Sequence, residues 1–286
     1  MAKKIISFSL WGNEPMYTIG AIRNAELAET IYPGWICRFY VGDDVEEDIV
    51  NKLKSFDNTE VIIMEDTIPD WQKTIWRFNA ITNEGVDFVI LRDTDSRLTT
   101  REYNAVIEWI NSGKYFHIMR DHPYHTEAIL AGMWGCKPKE LMDRINEEIY
   151  SKFDEEASNF SKVVGDWLIS QDVNIKNKEW NHLKPEQLVT KGIDQILLRS
   201  LIYPIVCSEA HIQDSFPQYN IWSGRFDYQY NTRIVKEVNT GFPSRRGTNN
   251  DNFVGQVFDE NDIPVKEYSE LLMQRDKCIY MDWATE

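Results

Sequence analysis

The stretch EGVDFVILRDTDSR, residues 84–97, decides the fold class of this 286-residue chain. The apolar run at residues 86–91 predicts a buried strand, and it leads directly into Arg92, Asp93 and Asp95. In open parallel sheets the carboxyl ends of the strands border the ligand crevice, because the loops diverge there. We therefore expect the two aspartates at the edge of the sheet where ligands bind.

The segments around this stretch alternate between strand-like and helix-like patterns, as expected of βαβ units. The predicted strands are residues 5–10, 35–41, 60–64, 86–91, 115–119, 129–135 and 202–207, and the predicted helices are residues 15–30, 46–56, 71–82, 101–112 and 186–201. This pattern predicts an α/β fold with a mixed, mainly parallel sheet flanked by helices and an elaborated helical or loop-rich C-terminal third.

The composition excludes several classes of protein. With 42% apolar residues the chain can bury a large core, so a short peptide ligand or a disulfide-stapled toxin is excluded. The 31 Lys and Arg against 46 Asp and Glu give a net charge of −15, which repels phosphate backbones and anionic lipid. The four cysteines form no CxxC pair, which argues against a zinc site and a dense disulfide framework. No uncharged apolar run reaches the roughly 18 to 20 residues that a bilayer requires, which argues against a transmembrane helix. We expect a cytoplasmic protein.

The D-x-D sequence at Asp93 and Asp95 places two carboxylates where a strand opens into a turn. Both can face one hard divalent cation, Mn²⁺ or Mg²⁺, that also holds a diphosphate. Taken alone, the D-x-D motif also fits a solvated acidic loop. The wider string KTIWRFNAITNEGVDFVILRDTD, residues 73–95, is more specific because an upstream helix adds Arg77.

This string resembles the DxD-containing glycosyltransferases of the GT-A fold. The resemblance implies a Rossmann-like sheet, a nucleoside-diphosphate sugar donor, a metal on Asp93 and Asp95, and a donor contact from Arg77. Further along, Asp194 and Gln195 resemble the D-Q-x-x-L segment of retaining glycosyltransferases, which lies beside the transferred sugar.

The segment at residues 252–256, NFVGQ, resembles the H-x-x-G segment of the same enzymes. Asn252 stands where the family has its metal-binding His, so the resemblance implies Asn252 as the third metal ligand, with Asp251 or Asp194 as alternatives.

The segment FHIMRDHPYHTEAILAGMWG, residues 116–135, together with RDTDSR, resembles uncharacterised glycosyltransferases of phages and large DNA viruses. If the chain is viral, its predicted cytoplasmic location is the cytoplasm of the host cell. Asp121 and His122 would act as a base toward an acceptor hydroxyl if their strand lies next to the D-x-D strand. A structural role in the turn is the alternative, and the His-x-x-His spacing of His122 and His125 has no partner cysteines that would favour zinc.

Further donor contacts are predicted at Trp11, Arg92, Arg97, Arg245 and Arg246. Trp11 follows the first strand and either stacks on the donor base or packs in the core. Arg92 and Arg97 either neutralise the diphosphate or pair with Asp93 and Asp95. Arg245 and Arg246 form either a phosphate or sugar-acid clamp or a solvated pair.

Together these residues predict a metal-dependent glycosyltransferase with a hydroxyl acceptor on a glycan, a protein or a hydroxymethylated DNA base. We expect one domain over residues 1–286: a nucleotide-sugar-binding half (1–136), a helical insertion or lid (137–184) and an acceptor or donor-closing half (185–286). DNA contact would need a local basic stripe at residues 176–191 and 245–246. The alternatives are a nucleotidyltransferase on the same fold, a haloacid-dehalogenase-like phosphatase and a non-catalytic carbohydrate-binding protein.

Overall fold

The computed structural model describes residues 2–65, 70–122, 125, 127–148, 194–195, 198, 202–215, 239–244 and 253–265. The strands in this part of the chain are β1 (Lys4–Leu10), β2 (Ile36–Gly42), β3 (Thr59–Met64), β4 (Phe88–Leu91), β5 (Phe116–Arg120), β6 (Trp134–Cys136), β7 (Ala210–Asp214) and β8 (Asn239–Thr240). They form one sheet in the order β3-β2-β1-β4-β6-β5-β7-β8.

The sheet is mixed and mainly parallel, which confirms the predicted α/β class with a mixed, mainly parallel sheet flanked by helices. Strand β6 runs antiparallel to β4 and β5, and the other neighbouring strands pair in parallel. From β1 the chain moves outward to β2 and β3 and then returns to β4 on the other side of β1. The loops after β1 and β4 therefore diverge and leave a crevice at the carboxyl ends of these two strands.

Helices cover both faces of the sheet. In the described part of the chain the α-helices are α1 (Pro15–Ile31), α2 (Glu47–Lys54), α3 (Thr100–Ser112), α4 (Pro138–Glu148) and α5 (Tyr203–Val206), and the 3₁₀ helices are Asp70–Thr82 and Cys207–Glu209. Local chemistry sets the ends of α3: the Thr99 hydroxyl accepts from the Glu102 amide at 3.1 Å, and Gly113 ends the helix at a φ of 76°.

Alternating side chains of the strands build a core on each face. On one face Ile5 of β1 lies in a cluster with Phe78 of the long 3₁₀ helix and Leu141 of α4. On the other face Ile6 lies in a cluster with Ala21 of α1 and Trp109 of α3. This period of two places the sheet between two apolar layers.

Two predicted elements differ from the structure. The strand predicted at residues 202–207 is wrong, because these residues form α5 and the start of a 3₁₀ helix, and the strand begins at Ala210. A short apolar run fits a strand or a buried helix equally well, and the Pro204 ring suits the first turn of a helix. The strand predicted at 129–135 covers only Trp134–Cys136, because Met133 N donates to Leu130 O in a turn.

The C-terminal predictions lie largely beyond the described residues. Helix α4 accounts for the beginning of the predicted insertion at 137–184, and most of the helix predicted at 186–201 lies outside the described part. The division into three parts stays a prediction. Among the described residues no helix is long and apolar enough to cross a membrane.

Candidate active site

The D-x-D turn lies at the carboxyl end of β4, beside the crevice between β1 and β4. Its first carboxylate, Asp93, is 49% exposed and forms an ion pair with Arg77. A Cβ at Gly132 would lie 1.9 Å from Asp93 Oδ2, so the glycine leaves room for this carboxylate. The geometry presents one face of Asp93 to solvent and holds the other against Arg77 and Gly132.

Arg77 is the central cation of the site. Its main chain, in the long 3₁₀ helix, is tied to β1: the amide donates to Ser9 Oγ at 2.9 Å and the carbonyl accepts from Ser7 Oγ at 2.7 Å. The buried guanidinium contacts Asp93 and donates to Asp194 Oδ2 at 2.8 Å. Burial lowers the pKa of Arg77, but the charges of the two aspartates raise it above its ordinary value overall.

Asp194 and Gln195 reach the same place from far along the chain. The side-chain amide of Gln195 is oriented so that its nitrogen donates to Ile129 O at 2.8 Å and its oxygen accepts from Ala131 N at 3.1 Å. Burial, and then the charge of Asp93, raise the pKa of Asp194, although Arg77 opposes them. The predicted D-Q pair is therefore brought next to the first D-x-D carboxylate.

The second D-x-D carboxylate, Asp95, is half-buried. Burial, and then the charge of Asp93, raise its pKa to about 7, against the opposing effect of Arg77. A partly buried carboxylate beside a second negative charge favours the binding of a cation or a proton.

Arg92 and Arg97, both predicted donor contacts, are buried and hydrogen-bonded to protein groups. Arg92 is buried, pairs with Glu102 and donates to Trp134 O at 3.0 Å. Arg97 is buried and donates to Ser96 O at 3.1 Å. The Arg97 guanidinium therefore holds the turn, whereas the Arg92 guanidinium joins β4 to α3 and β6. Their donor contacts stay predictions.

Asp121 and His122 follow a strand that is not next to the D-x-D strand, although their predicted catalytic role requires that neighbourhood. Strand β6 lies between β5, which precedes them, and the D-x-D strand β4. Asp121 is fully buried and accepts two hydrogen bonds from Arg101, each at 2.9 Å. The Asp121 carboxylate also accepts from Ser215 Oγ at 2.5 Å and from Val254 N at 2.9 Å. It therefore holds together three segments that are distant in the sequence.

His122 is buried next to Phe253, with the ring centroids 4.5 Å apart. The base roles of Asp121 and His122 stay predictions.

Trp11 lies at the rim of the crevice, half-buried beside Gly42 at the end of β2. Near it the buried Lys73 places its Nζ 3.9 Å from Asp44 Oδ2. The stacking role of Trp11 stays a prediction. Arg245, Arg246 and Asn252 lie outside the described residues, so the predicted clamp and third metal ligand stay predictions as well.

Gly132 and Arg101 were missed by reasoning from the sequence alone. A glycine in the loop before a strand is a recognised sign that another group approaches the backbone closely. Gly132 could therefore have been identified from the sequence as a place of close approach. Arg101 sits in the first turn of α3, and its partners follow from the tertiary fold. No local pattern identifies such a residue.

No protein-family model matches the chain, and no curated protein matches its sequence. Solved structures do match. The glycosyltransferase GlyE of Streptococcus pneumoniae TIGR4 is 10% identical, covering 82% of this chain and 52% of GlyE, with a TM-score of 0.41. TarS of S. aureus is 13% identical, covering 70% of this chain and 71% of that one, with a TM-score of 0.40.

A further match is the 4-diphosphocytidyl-2C-methyl-D-erythritol synthase of Anaerococcus prevotii DSM 20548, 11% identical over 57% of this chain and 82% of that chain, with a TM-score of 0.37.

Proposed function

We propose that this chain is a metal-dependent glycosyltransferase that moves a sugar from a nucleoside-diphosphate sugar to a hydroxyl acceptor. The observation that carries the proposal is the meeting of Asp93, Asp95, Arg77 and Asp194 at the carboxyl end of β4. Phosphate-bearing ligands bind at this edge of α/β sheets, where the strand order reverses.

The residues fit a hard divalent cation. Mg²⁺ and Mn²⁺ are commonly held by one or two carboxylates, with phosphate oxygens and water completing the shell. Asp93 and Asp95 would supply the two carboxylates. Among the described residues no group of three or more His, Cys, Asp or Glu side chains is arranged to hold a metal ion. A bound cation would offset the charge that develops on the departing diphosphate.

Arg77 and the D-Q pair would organise the donor. Arg77 contacts both Asp93 and Asp194, so it would fix the spacing between the diphosphate end and the sugar end of the site. Gln195 ties Asp194 to the turn that precedes Gly132. We infer a retaining reaction, because the polar pair lies beside the D-x-D carboxylate whereas Asp121 is engaged by Arg101.

In the transfer the bond between the anomeric carbon and the diphosphate oxygen breaks. A bond from the anomeric carbon to the acceptor oxygen forms on the same face of the sugar, and the hydroxyl proton leaves with the diphosphate or to solvent.

The test is a thermal-shift panel of UDP, GDP, CMP, TDP and ADP, each with and without Mn²⁺. A nucleotide at about a hundred times its dissociation constant should raise the melting temperature by roughly 5–10 °C, only with Mn²⁺. The shift should persist in Glu84→Gln, which neutralises an exposed carboxylate before β4, and vanish in Asp95→Asn. An equal shift in Asp95→Asn, or none with any nucleotide, would refute the donor site.

The product separates this function from its closest alternative. With the sugar derivative of the nucleotide that shifts the melting temperature, a glycosyltransferase releases nucleoside diphosphate. A nucleotidyltransferase would instead release pyrophosphate from the nucleoside triphosphate and a sugar phosphate. Release of pyrophosphate alone would replace the proposed function with that alternative.

A further inference from the structure

The back of the D-x-D turn is covered by a short hairpin formed by residues 257–265. Val265 N donates to Val257 O at 3.0 Å, and Phe258 forms an antiparallel bridge with Pro264. The hairpin joins the turn directly: Phe258 N donates to Asp95 O at 2.8 Å, and Val257 bridges Ser96. The main chain of the second D-x-D aspartate is thus hydrogen-bonded to a segment far along the chain.

Arg97 links the turn to the hairpin. Its Nη1 donates to Thr94 O at 3.3 Å and to Ser96 O at 3.1 Å, which are carbonyls of the turn. Its Nη2 donates to Asp259 O at 3.0 Å, and its Nε donates to Asp262 Oδ1 at 2.8 Å, both in the hairpin. One rigid, buried guanidinium therefore sets the distance between the two segments.

Asp262 closes this linkage from the outside. Its Oδ2 lies 3.1 Å from Arg23 Nε on helix α1, so one carboxylate joins α1, the hairpin and Arg97. The residue has a φ of 60°, in the left-handed region that Asp and Asn tolerate better than other side chains. The conformation directs an exposed carboxylate onto two arginines.

We propose that Asp262 is a positioning residue that acts through Arg97 to lock the hairpin against the D-x-D turn and thereby sets the affinity of Asp93 and Asp95 for a divalent cation. The inference rests on the proposed function, because it assigns the two aspartates to a cation. Groups that orient metal ligands from outside the coordination shell commonly change metal affinity when they are removed.

The test compares Asp262→Asn with Glu260→Gln. Asn keeps the left-handed conformation and removes the charge, whereas Glu260 is an exposed acid on the same hairpin whose neutralisation leaves both arginine contacts intact. Mn²⁺ affinity is measured by the loss of the electron paramagnetic resonance signal of free Mn²⁺. We expect Asp262→Asn to weaken binding by about threefold to tenfold relative to Glu260→Gln, with little change in melting temperature.

Two further measurements show whether Asp262 acts as stated. In an Arg97→Lys background Asp262→Asn should cause little additional loss of Mn²⁺ affinity, because both changes break one linkage. Hydrogen exchange at the Phe258 amide should accelerate in Asp262→Asn, because its bond to Asp95 O opens with the hairpin.

Equal Mn²⁺ affinity in Asp262→Asn and Glu260→Gln would overturn the inference, and so would additive effects in the Arg97→Lys background. If the native chain does not bind Mn²⁺, or if Asp95→Asn leaves that binding unchanged, the proposed function is refuted. The part of the inference that concerns cation affinity is then refuted as well. Hydrogen exchange then tests the lock by itself: unchanged exchange at Phe258 would also refute the hairpin linkage.

Discussion

Gly132 limits the space around the first D-x-D carboxylate. A Cβ at this position would lie 1.9 Å from Asp93 Oδ2 and 3.1 Å from Asp93 N. Gly132→Ala should therefore displace the carboxylate from Arg77 and reduce Mn²⁺-dependent nucleotide binding at least about tenfold. Isothermal titration calorimetry measures this loss.

Gly34→Ala is the control for Gly132→Ala. Gly34 has a φ of 77°, and no atom lies within 4 Å of the place that a Cβ would take, so alanine there strains the backbone without touching the site. It should lower the melting temperature and leave nucleotide affinity unchanged. Loss of affinity in both variants would mean that general destabilisation explains the result.

His117 makes the stability of the protein sensitive to acid. This fully buried residue of β5 stacks on Trp109 with ring centroids 5.2 Å apart, and its Nε2 lies 2.8 Å from Gln213 Oε1. Burial lowers the pKa of His117 from 6.5 to about 3. The unfolded chain therefore binds a proton that the folded chain does not bind between these values, so stability is lost as the pH falls below 6.5.

Replacing His117 by Gln should reduce this acid sensitivity, because Gln keeps a donor toward Gln213 and has no proton to gain. Between about pH 7.5 and about pH 5, the native chain should lose about 2 kcal/mol more unfolding free energy than His117→Gln. Urea unfolding of both proteins at the two pH values gives the difference. Equal losses would show that His117 is not the group responsible.

At the scale of elements, helix α1 fixes the D-x-D turn from one side. Asn24 is buried; its Nδ2 donates to Ser96 O at 2.8 Å and its Oδ1 accepts from Leu98 N at 3.0 Å. A Cβ at Gly20 would lie 2.1 Å from Thr94 O, so the helix backbone packs directly on the turn. The helix acts as a rigid support for the two aspartates.

Asn24→Ala should leave these buried groups of the turn without partners, which costs roughly 2 to 3 kcal/mol of unfolding free energy. Urea unfolding measures the cost. Glu29→Ala, at an exposed position of the same helix, should change stability by less than about 0.5 kcal/mol. A loss no larger than that of the control would mean that α1 does not support the turn.

The elements before residue 120 could be predicted closely from the sequence, and the later ones could not. The strand predicted at 5–10 is β1 (Lys4–Leu10), and the helix predicted at 15–30 is α1 (Pro15–Ile31), because apolar periodicity and Pro or Gly breakers mark each of them. At residues 202–207 the apolar run was compatible with two structures, and packing decided for α5.

The same contrast applies to the site at the scale of the whole molecule. The D-x-D pair and Arg77 lie within 20 residues of one another, so a motif could identify them. The contact of Arg77 with Asp194 spans 117 residues, and the burial of Arg92 and Asp121 depends on partners that only the folded sheet provides. Arg92 and Asp121 are thus engaged by protein groups that no local motif identifies.

The net charge of −15 predicts how the whole molecule meets a nucleic acid acceptor. Duplex DNA carries a dense array of phosphates, and proteins bind it by neutralising them with Lys and Arg. We expect dissociation constants weaker than about 0.1 mM at about 150 mM salt for duplexes with and without hydroxymethylated cytosine. Fluorescence anisotropy over a range of salt concentrations measures them. Tight binding that falls steeply with salt would contradict this and indicate that the basic residues at 176–191 and 245–246 neutralise the phosphates, with modified DNA as the acceptor.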